Sequence, residues 1–163
     1  MPFLAPMYGA KLTLPRRRAD AAWLHRLIVE QGVTIAAGVP TNWLGVLEHC
    51  RATEQGLGAF QRIFSGGTAA PAAMIESYLR NYGVRVSHGW GMTETTHGAT
   101  ISFARHGLPD DAAVAAMPTQ GKPLYSHETR IVDDEDRPLP RAKDPISSVS
   151  APTWPRATRR RAH

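Results

Sequence analysis

Cysteine and long apolar runs are the scarcest features of this 163-residue sequence, and each scarcity excludes a class of protein. The single Cys50 cannot form an internal disulfide or a multi-cysteine metal site, which predicts a reducing, cytoplasmic setting and a small buried side chain within a helix. No apolar run approaches the roughly 20 residues of a membrane span. The histidines lack metal-ligand spacing, and we expect His88 and His97 on the surface of a loop.

Basic and acidic side chains also balance over most of the chain. Residues 1–140 hold 13 basic and 13 acidic side chains, whereas residues 141–163 hold six basic and one acidic. The net charge of +5 therefore belongs to the tail, whose three prolines and lack of apolar periodicity predict disorder. A nucleic-acid-binding domain would place basic residues among its folded elements, so no specific nucleic acid is predicted as a partner.

What is present is an alternation of helical and strand patterns from residue 19 to residue 88. Apolar residues recur at helical spacing in three segments and form short β-branched runs in three others. The predicted elements, in order, are a helix over 19–32, a strand over 33–37, a helix near 41–54, a strand over 61–65, a helix near 70–82 and a strand over 84–88. This order predicts an α/β fold of parallel βαβ units, because such crossovers are right-handed.

The remaining local signals concern helix starts and the segment after the third strand. Thr41 or Asn42 is the candidate N-cap of the second helix, and Thr68 is that of the third. A short helix is predicted over 110–117, and residues 128–140 have the pattern of a β-hairpin.

Two glycine-rich loops follow consecutive predicted strands. "SGGTAAP" spans residues 65–71 and "HGWGMTE" spans residues 88–94. The carboxyl ends of parallel strands share one edge of the sheet, where open α/β folds bind ligands, so we expect the two loops side by side. Glycine permits close backbone approach to a ligand, while hydroxyl and N–H groups donate to phosphate. For Gly66–Thr68 the simpler alternative is a strand end followed by a helix cap.

Five stretches of the chain form a recognisable series: "MYGAKLTLP", "GVTIAAGVPTNWLGVLEHC", "RIFSGGTAAPAAMIESYLRNYGV", "GWGMTET" and "QGKPLYSHETRIVDDEDRPLP". In order and spacing they resemble the AMP-forming acyl-CoA synthetases of the adenylate-forming superfamily. The similarity covers about residues 1–140 and is strongest to the branch that activates medium- and long-chain fatty acids.

The resemblance implies a reaction and assigns residues to it. Such enzymes join a carboxylate to ATP, giving an acyl-adenylate, and then pass the acyl group to coenzyme A. Thr93 would contact the α-phosphate, Glu94 would help to hold Mg²⁺, and Trp43 would lie near the acyl pocket. From helical spacing alone, Trp43 is more typical of a core residue. The implied nucleotide-binding positions are Gly66, Gly67, Thr68, Gly89, Trp90, Gly91, Met92 and Thr93.

Several parts of the family pattern have no counterpart in these residues. They are the phosphate-binding loop, the aspartate that binds the ribose and the catalytic lysine. We therefore expect residues 1–140 to be part of an AMP-binding domain from inside such an enzyme, inactive alone, and residues 141–163 to be a basic tail. The alternatives are a non-catalytic module that binds a nucleotide or an acyl chain, and a basic tail that binds nucleic acid. The sequence makes no prediction of oligomeric state.

Overall fold

Helices and strands alternate through the described part of the chain. The computed structural model describes residues 4–15, 20–95, 98–103, 112, 114, 119, 121–125, 127 and 137. The helices are α1 (Leu4–Met7), α2 (Ala21–Glu30), α3 (Pro40–Thr53) and α4 (Ala72–Tyr82). The strands are β1 (Ile35–Gly38), β2 (Arg62–Ser65), β3 (Arg85–Trp90), β4 (Thr100–Ile101) and β5 (Lys122–Pro123).

The strands form one sheet in the order β1-β2-β3-β4-β5. The first three strands pair in parallel, with Gly38 opposite Ser65 and Ser65 opposite His88. This confirms the predicted parallel βαβ units. The pairs β3–β4 and β4–β5 are antiparallel. The two-residue strands β4 and β5 were not predicted, because segments so short show no periodicity.

The third strand is longer than its sequence pattern predicts. Gly89 and Trp90, expected in the loop, pair with Ile101 and Thr100 and so extend β3 by two residues beyond His88. The glycine gave a local signal for a loop, whereas the pairing depends on β4, which is distant in sequence.

The core lies between the sheet and helices α3 and α4, with α2 packed against α3. Ile63 and Val86 point from the sheet into this layer, and both are fully buried. Cys50 is 1% exposed on α3, which confirms the prediction of a small buried side chain. Among the described residues, no helix has the length and apolar content needed to cross a bilayer.

Both predicted N-caps are wrong. Helix α3 begins at Pro40, with Val39 as its N-cap and no side-chain bond at the cap. Proline suits this first position because its missing N–H would have no helical partner there. Helix α4 begins at Ala72 after Pro71, so Thr68 lies outside it.

Some predictions fall wholly or partly outside the described residues. Of the predicted helix over 110–117, Ala112 and Val114 are described; both are helical, and Val114 packs against the core. The predicted hairpin over 128–140, except for Arg137, and the tail over 141–163 lie outside the described part.

One buried hydrogen bond joins the two helices that cover the sheet. The Tyr78 hydroxyl on α4 donates to the Trp43 carbonyl on α3 over 2.7 Å, and the Tyr78 side chain is fully buried. Burial, with a smaller contribution from the nearby Cys50 thiol, raises the pKa of Tyr78 above its ordinary value. The phenol therefore stays protonated and remains a donor.

Replacing Tyr78 with phenylalanine should lower the free energy of unfolding by about 1 kcal/mol at neutral pH, the typical value of one such bond. A raised folded-state pKa gives stability that is present below about pH 10 and is lost as the pH rises further. Tyr78→Phe should therefore reduce the alkaline loss of stability, measured by urea denaturation. The fully exposed Tyr125 provides the control, Tyr125→Phe, which should change neither quantity. Equal alkaline loss in Tyr78→Phe and the wild type would contradict the assignment.

Candidate functional site

The loops that follow β2 and β3 meet at the carboxyl edge of the sheet. The Gly66 N–H donates to the Gly38 carbonyl over 3.3 Å, which ties the ends of β1 and β2 together. A methyl group on Gly66 would lie 3.1 Å from the Gly89 carbonyl oxygen, so the ends of β2 and β3 approach closely. This confirms that the two loops lie side by side.

Two glycines in the first loop meet distinct physical requirements. A methyl group at Gly66 would be tight against the Gly89 carbonyl, which would have to shift by a few tenths of an ångström. Gly67 has a φ of +88°, in the region that residues with a Cβ rarely adopt. The loop leads to Pro71 and not to a cap formed by Thr68, so the alternative of a helix cap is wrong.

The second loop closes into a turn of 3₁₀ helix over Thr93–Thr95. The Thr95 hydroxyl accepts a bond from the Met92 N–H at 2.9 Å and donates to the Met92 carbonyl at 3.0 Å. Glu94 lies at the centre of the turn, and the Thr93 side chain is exposed. Thr95 was not selected from the sequence. The available signal was its hydroxyl three residues after Met92, a spacing typical of local side-chain turns.

His88 is buried, and the prediction that it lies on a loop surface is wrong. Its residue exposure is 2%, because β3 continues past it and turns its side chain toward the helices. Its Nε2 lies 3.3 Å from the Thr68 carbonyl oxygen. The prediction for His97 lies outside the described residues.

Trp43 is a core residue, as its helical spacing suggested. It is 4% exposed, and its ring centroid lies 6.1 Å from that of Phe60. A methyl group on Gly38 would lie 3.0 Å from the indole Cζ2, so glycine at the end of β1 makes room for the ring. The indole therefore packs close to the carboxyl end of β1. Its assignment to an acyl pocket stays a prediction.

The described residues contain no group of three or more histidine, cysteine or carboxylate side chains that could hold a metal ion. A surface groove of about 730 Å³, lined in part by His25 and His49, shares no residue with the two loops. The assignment of Thr93 and Glu94 to the candidate site stays a prediction.

Residues 1–144 match the family model described as AMP-binding enzyme. The chain belongs to this family. The chain is 41% identical over 142 residues to a medium-chain-fatty-acid–CoA ligase from Ectopseudomonas oleovorans, covering 85% of the chain and 26% of that protein. It is 35% identical over 152 residues to a long-chain-fatty-acid–CoA ligase from Thermus thermophilus, covering 91% of the chain and 28% of that protein. The chain thus spans about a quarter of the length of these relatives.

Solved structures show the same fold. A crystal structure of an anthranilate–CoA ligase in complex with anthranoyl-AMP has a TM-score of 0.68 and 26% identity, covering 81% of the chain and 24% of that protein. The Bacillus subtilis o-succinylbenzoate–CoA synthetase in complex with AMP has a TM-score of 0.63 and 25% identity, covering 85% and 26%. Neither the non-catalytic module nor the nucleic-acid-binding tail gains support from these proteins.

Adding a methyl group at Gly66 should separate the two loops. Gly66→Ala must displace the Gly89 backbone, and we expect a loss of about 1–3 kcal/mol in the free energy of unfolding, typical of overpacking. Gly56→Ala is the matched control, because nothing lies within 4 Å of a methyl group there. That control should change stability by less than about 1 kcal/mol in urea denaturation. Equal stability of the two variants would show that the contact is not tight.

Proposed function

We propose that this chain forms part of the adenylate-binding site of an AMP-forming acyl-CoA ligase. The observation that carries the proposal is the contact of the Gly66 loop with the Gly89 backbone at the carboxyl edge of three parallel strands. Family membership supports an adenine nucleotide as the ligand that we assign to this edge, since residues 1–144 match AMP-binding enzymes. In the proposed reaction a carboxylate displaces pyrophosphate from ATP, and the resulting acyl-adenylate transfers its acyl group to the thiol of coenzyme A, with release of AMP.

The described residues fit an adenine nucleotide in two respects. Gly66 is half-buried and Gly67 is exposed, and neither has a side chain that would keep a flat base away from the backbone of the first loop. The Thr93 hydroxyl is exposed on the adjacent turn and can donate to a phosphate oxygen. Gly89, Trp90, Gly91 and Met92 connect these two parts, and we assign them to the same nucleotide.

We assign Mg²⁺ to Glu94. Magnesium commonly binds one or two carboxylates together with substrate phosphates and water, and a single carboxylate in the turn suits that mode. The ion would neutralise phosphate charge, whereas this chain's own contribution is to hold the nucleotide in position. No residue of the chain is assigned to coenzyme A.

A fatty acid is the proposed carboxylate substrate. The support comes from relatives named as medium-chain- and long-chain-fatty-acid–CoA ligases, which are 41% and 35% identical to the chain. Trp43, packed below the end of β1, is the residue that we assign to the acyl side of the site. We propose a cytoplasmic setting, in which the buried Cys50 thiol stays reduced.

Nucleotide binding should depend on the turn over Thr93–Thr95. A hydrogen bond to a charged group contributes about 1.5–3 kcal/mol, so Thr93→Ala should weaken binding of AMP roughly 10- to 100-fold in titration calorimetry. Glu94→Gln should weaken the binding of ATP only when magnesium is present. The matched controls are Thr53→Ala, whose hydroxyl donates to the His49 carbonyl, and Glu76→Gln, in an exposed pair with Arg80. Binding that is equally strong in Thr93→Ala and Thr53→Ala would contradict the proposal.

The 163-residue polypeptide, expressed alone, should release pyrophosphate only at background rates. It contains no stretch that resembles the loop gripping the β- and γ-phosphates, nor the catalytic lysine of the family pattern. The loss of even one electrostatic contact typically costs about 10²–10³ in rate. The assay supplies ATP, magnesium, coenzyme A and fatty acids of increasing length. Turnover that disappears in Glu94→Gln would show that the chain is an active ligase by itself.

A further inference from the structure

His88 lies where it can connect the two loops of the candidate site. It is opposite Ser65 in the parallel register of β2 and β3, and its side chain is buried. Its Nε2 lies 3.3 Å from the carbonyl oxygen of Thr68, in the loop that follows β2. A carbonyl oxygen only accepts hydrogen bonds, so Nε2 carries the proton and donates.

Ser102, which follows β4, holds the backbone of His88 with hydrogen bonds. Its carbonyl accepts from the Ser102 N–H at 2.8 Å and from the Ser102 hydroxyl at 3.2 Å. The His88 N–H donates to the same hydroxyl at 3.0 Å, and Ser102 is 4% exposed. The imidazole therefore extends from an anchored position toward a loop whose residues Gly66, Gly67 and Thr68 are half-buried or exposed.

We propose that His88 is a positioning residue, whose Nε2–H holds the Thr68 carbonyl and fixes the loop over residues 66–68 against β3. The loop contains glycine at two successive positions, and such a segment has many alternative conformations unless it is tethered. The His88 bond selects one of them before any nucleotide arrives. Its effect on AMP affinity rests on the proposed function, whereas its effect on the loop does not.

Two conservative variants separate the hydrogen bond from the volume of the ring. In His88→Gln the amide nitrogen lies about as far from the backbone as Nε2 and can donate to Thr68. In His88→Asn the amide is one carbon shorter and does not reach. Gln should preserve the tether and Asn should lose it, although both introduce a buried amide.

His25 provides a matched control elsewhere in the fold. It is 6% exposed, and its Nε2 lies 2.9 Å from the Gly56 carbonyl oxygen. His25→Ala therefore removes the same kind of buried bond from α2, which contributes no residue to the two loops. Any general loss of stability caused by removing a buried histidine should appear in His25→Ala and His88→Ala alike.

The test combines NMR order parameters for Gly66, Gly67 and Thr68 with calorimetric titration of AMP. In the wild type and in His88→Gln we expect backbone order parameters of about 0.85. In His88→Asn and His88→Ala we expect values below about 0.6. Loss of one bond should weaken AMP binding roughly tenfold in the last two variants. His25→Ala should leave both quantities at the wild-type level.

The outcomes separate the two proposals. Wild-type order parameters for the loop in His88→Asn would overturn the proposal that His88 tethers the loop. The measurement on His88→Asn remains a valid test even if His88→Ala fails to fold. Loss of loop order in Asn, with rescue by Gln, would support the tether even if the wild-type chain does not bind AMP. In that last case the proposed nucleotide function fails and the structural role of His88 stands.

Discussion

The parallel register of β1, β2 and β3 is the constraint on which the candidate site depends. It sets Gly38, Ser65 and His88 in one row across the sheet, so that three successive strands end at the same edge. A shift of one residue in either pairing would turn the side chains of that strand to the opposite face. His88 would then point away from Thr68, and the core residue Ile63 or Val86 would point away from the helices. The register therefore specifies the core and the site together.

Packing on the sheet is unequal on its two faces. Helices α3 and α4 cover one face, where Ile63 is fully buried, whereas Ile35 on β1 is 51% exposed. Parallel sheets are normally covered on both faces, because their crossover connections place helices there. In this chain, which spans about a quarter of the length of its relatives, the described helices cover the face that holds His88 and the Tyr78–Trp43 bond. The candidate site therefore lies at one end of the buried core that the sheet forms with these helices.

The sequence predicted the parts of the fold that local periodicity determines. Helices α2, α3 and α4 and the three parallel strands were found from apolar spacing. The extent of β3 depends instead on contacts between residues that are distant in sequence. Gly89 and Trp90 belong to β3 only because Ile101 and Thr100 pair with them, and no local pattern announces a partner ten or more residues away. His88 was misplaced for the same reason.

For the candidate site, the chemical roles were predicted from the sequence, whereas the residues that hold the loops were found only in the structure. The roles proposed for Thr93 and Glu94 came from the resemblance to the family, since neither periodicity nor spacing could provide them. Structure supplied the groups that hold the loops in place: the Thr95 hydroxyl, which bonds both backbone groups of Met92, and the buried His88 imidazole. A side chain that positions a loop leaves little trace in sequence, because its partner is a backbone carbonyl that every residue type possesses. Such residues become visible only when the geometry of the strand ends is known.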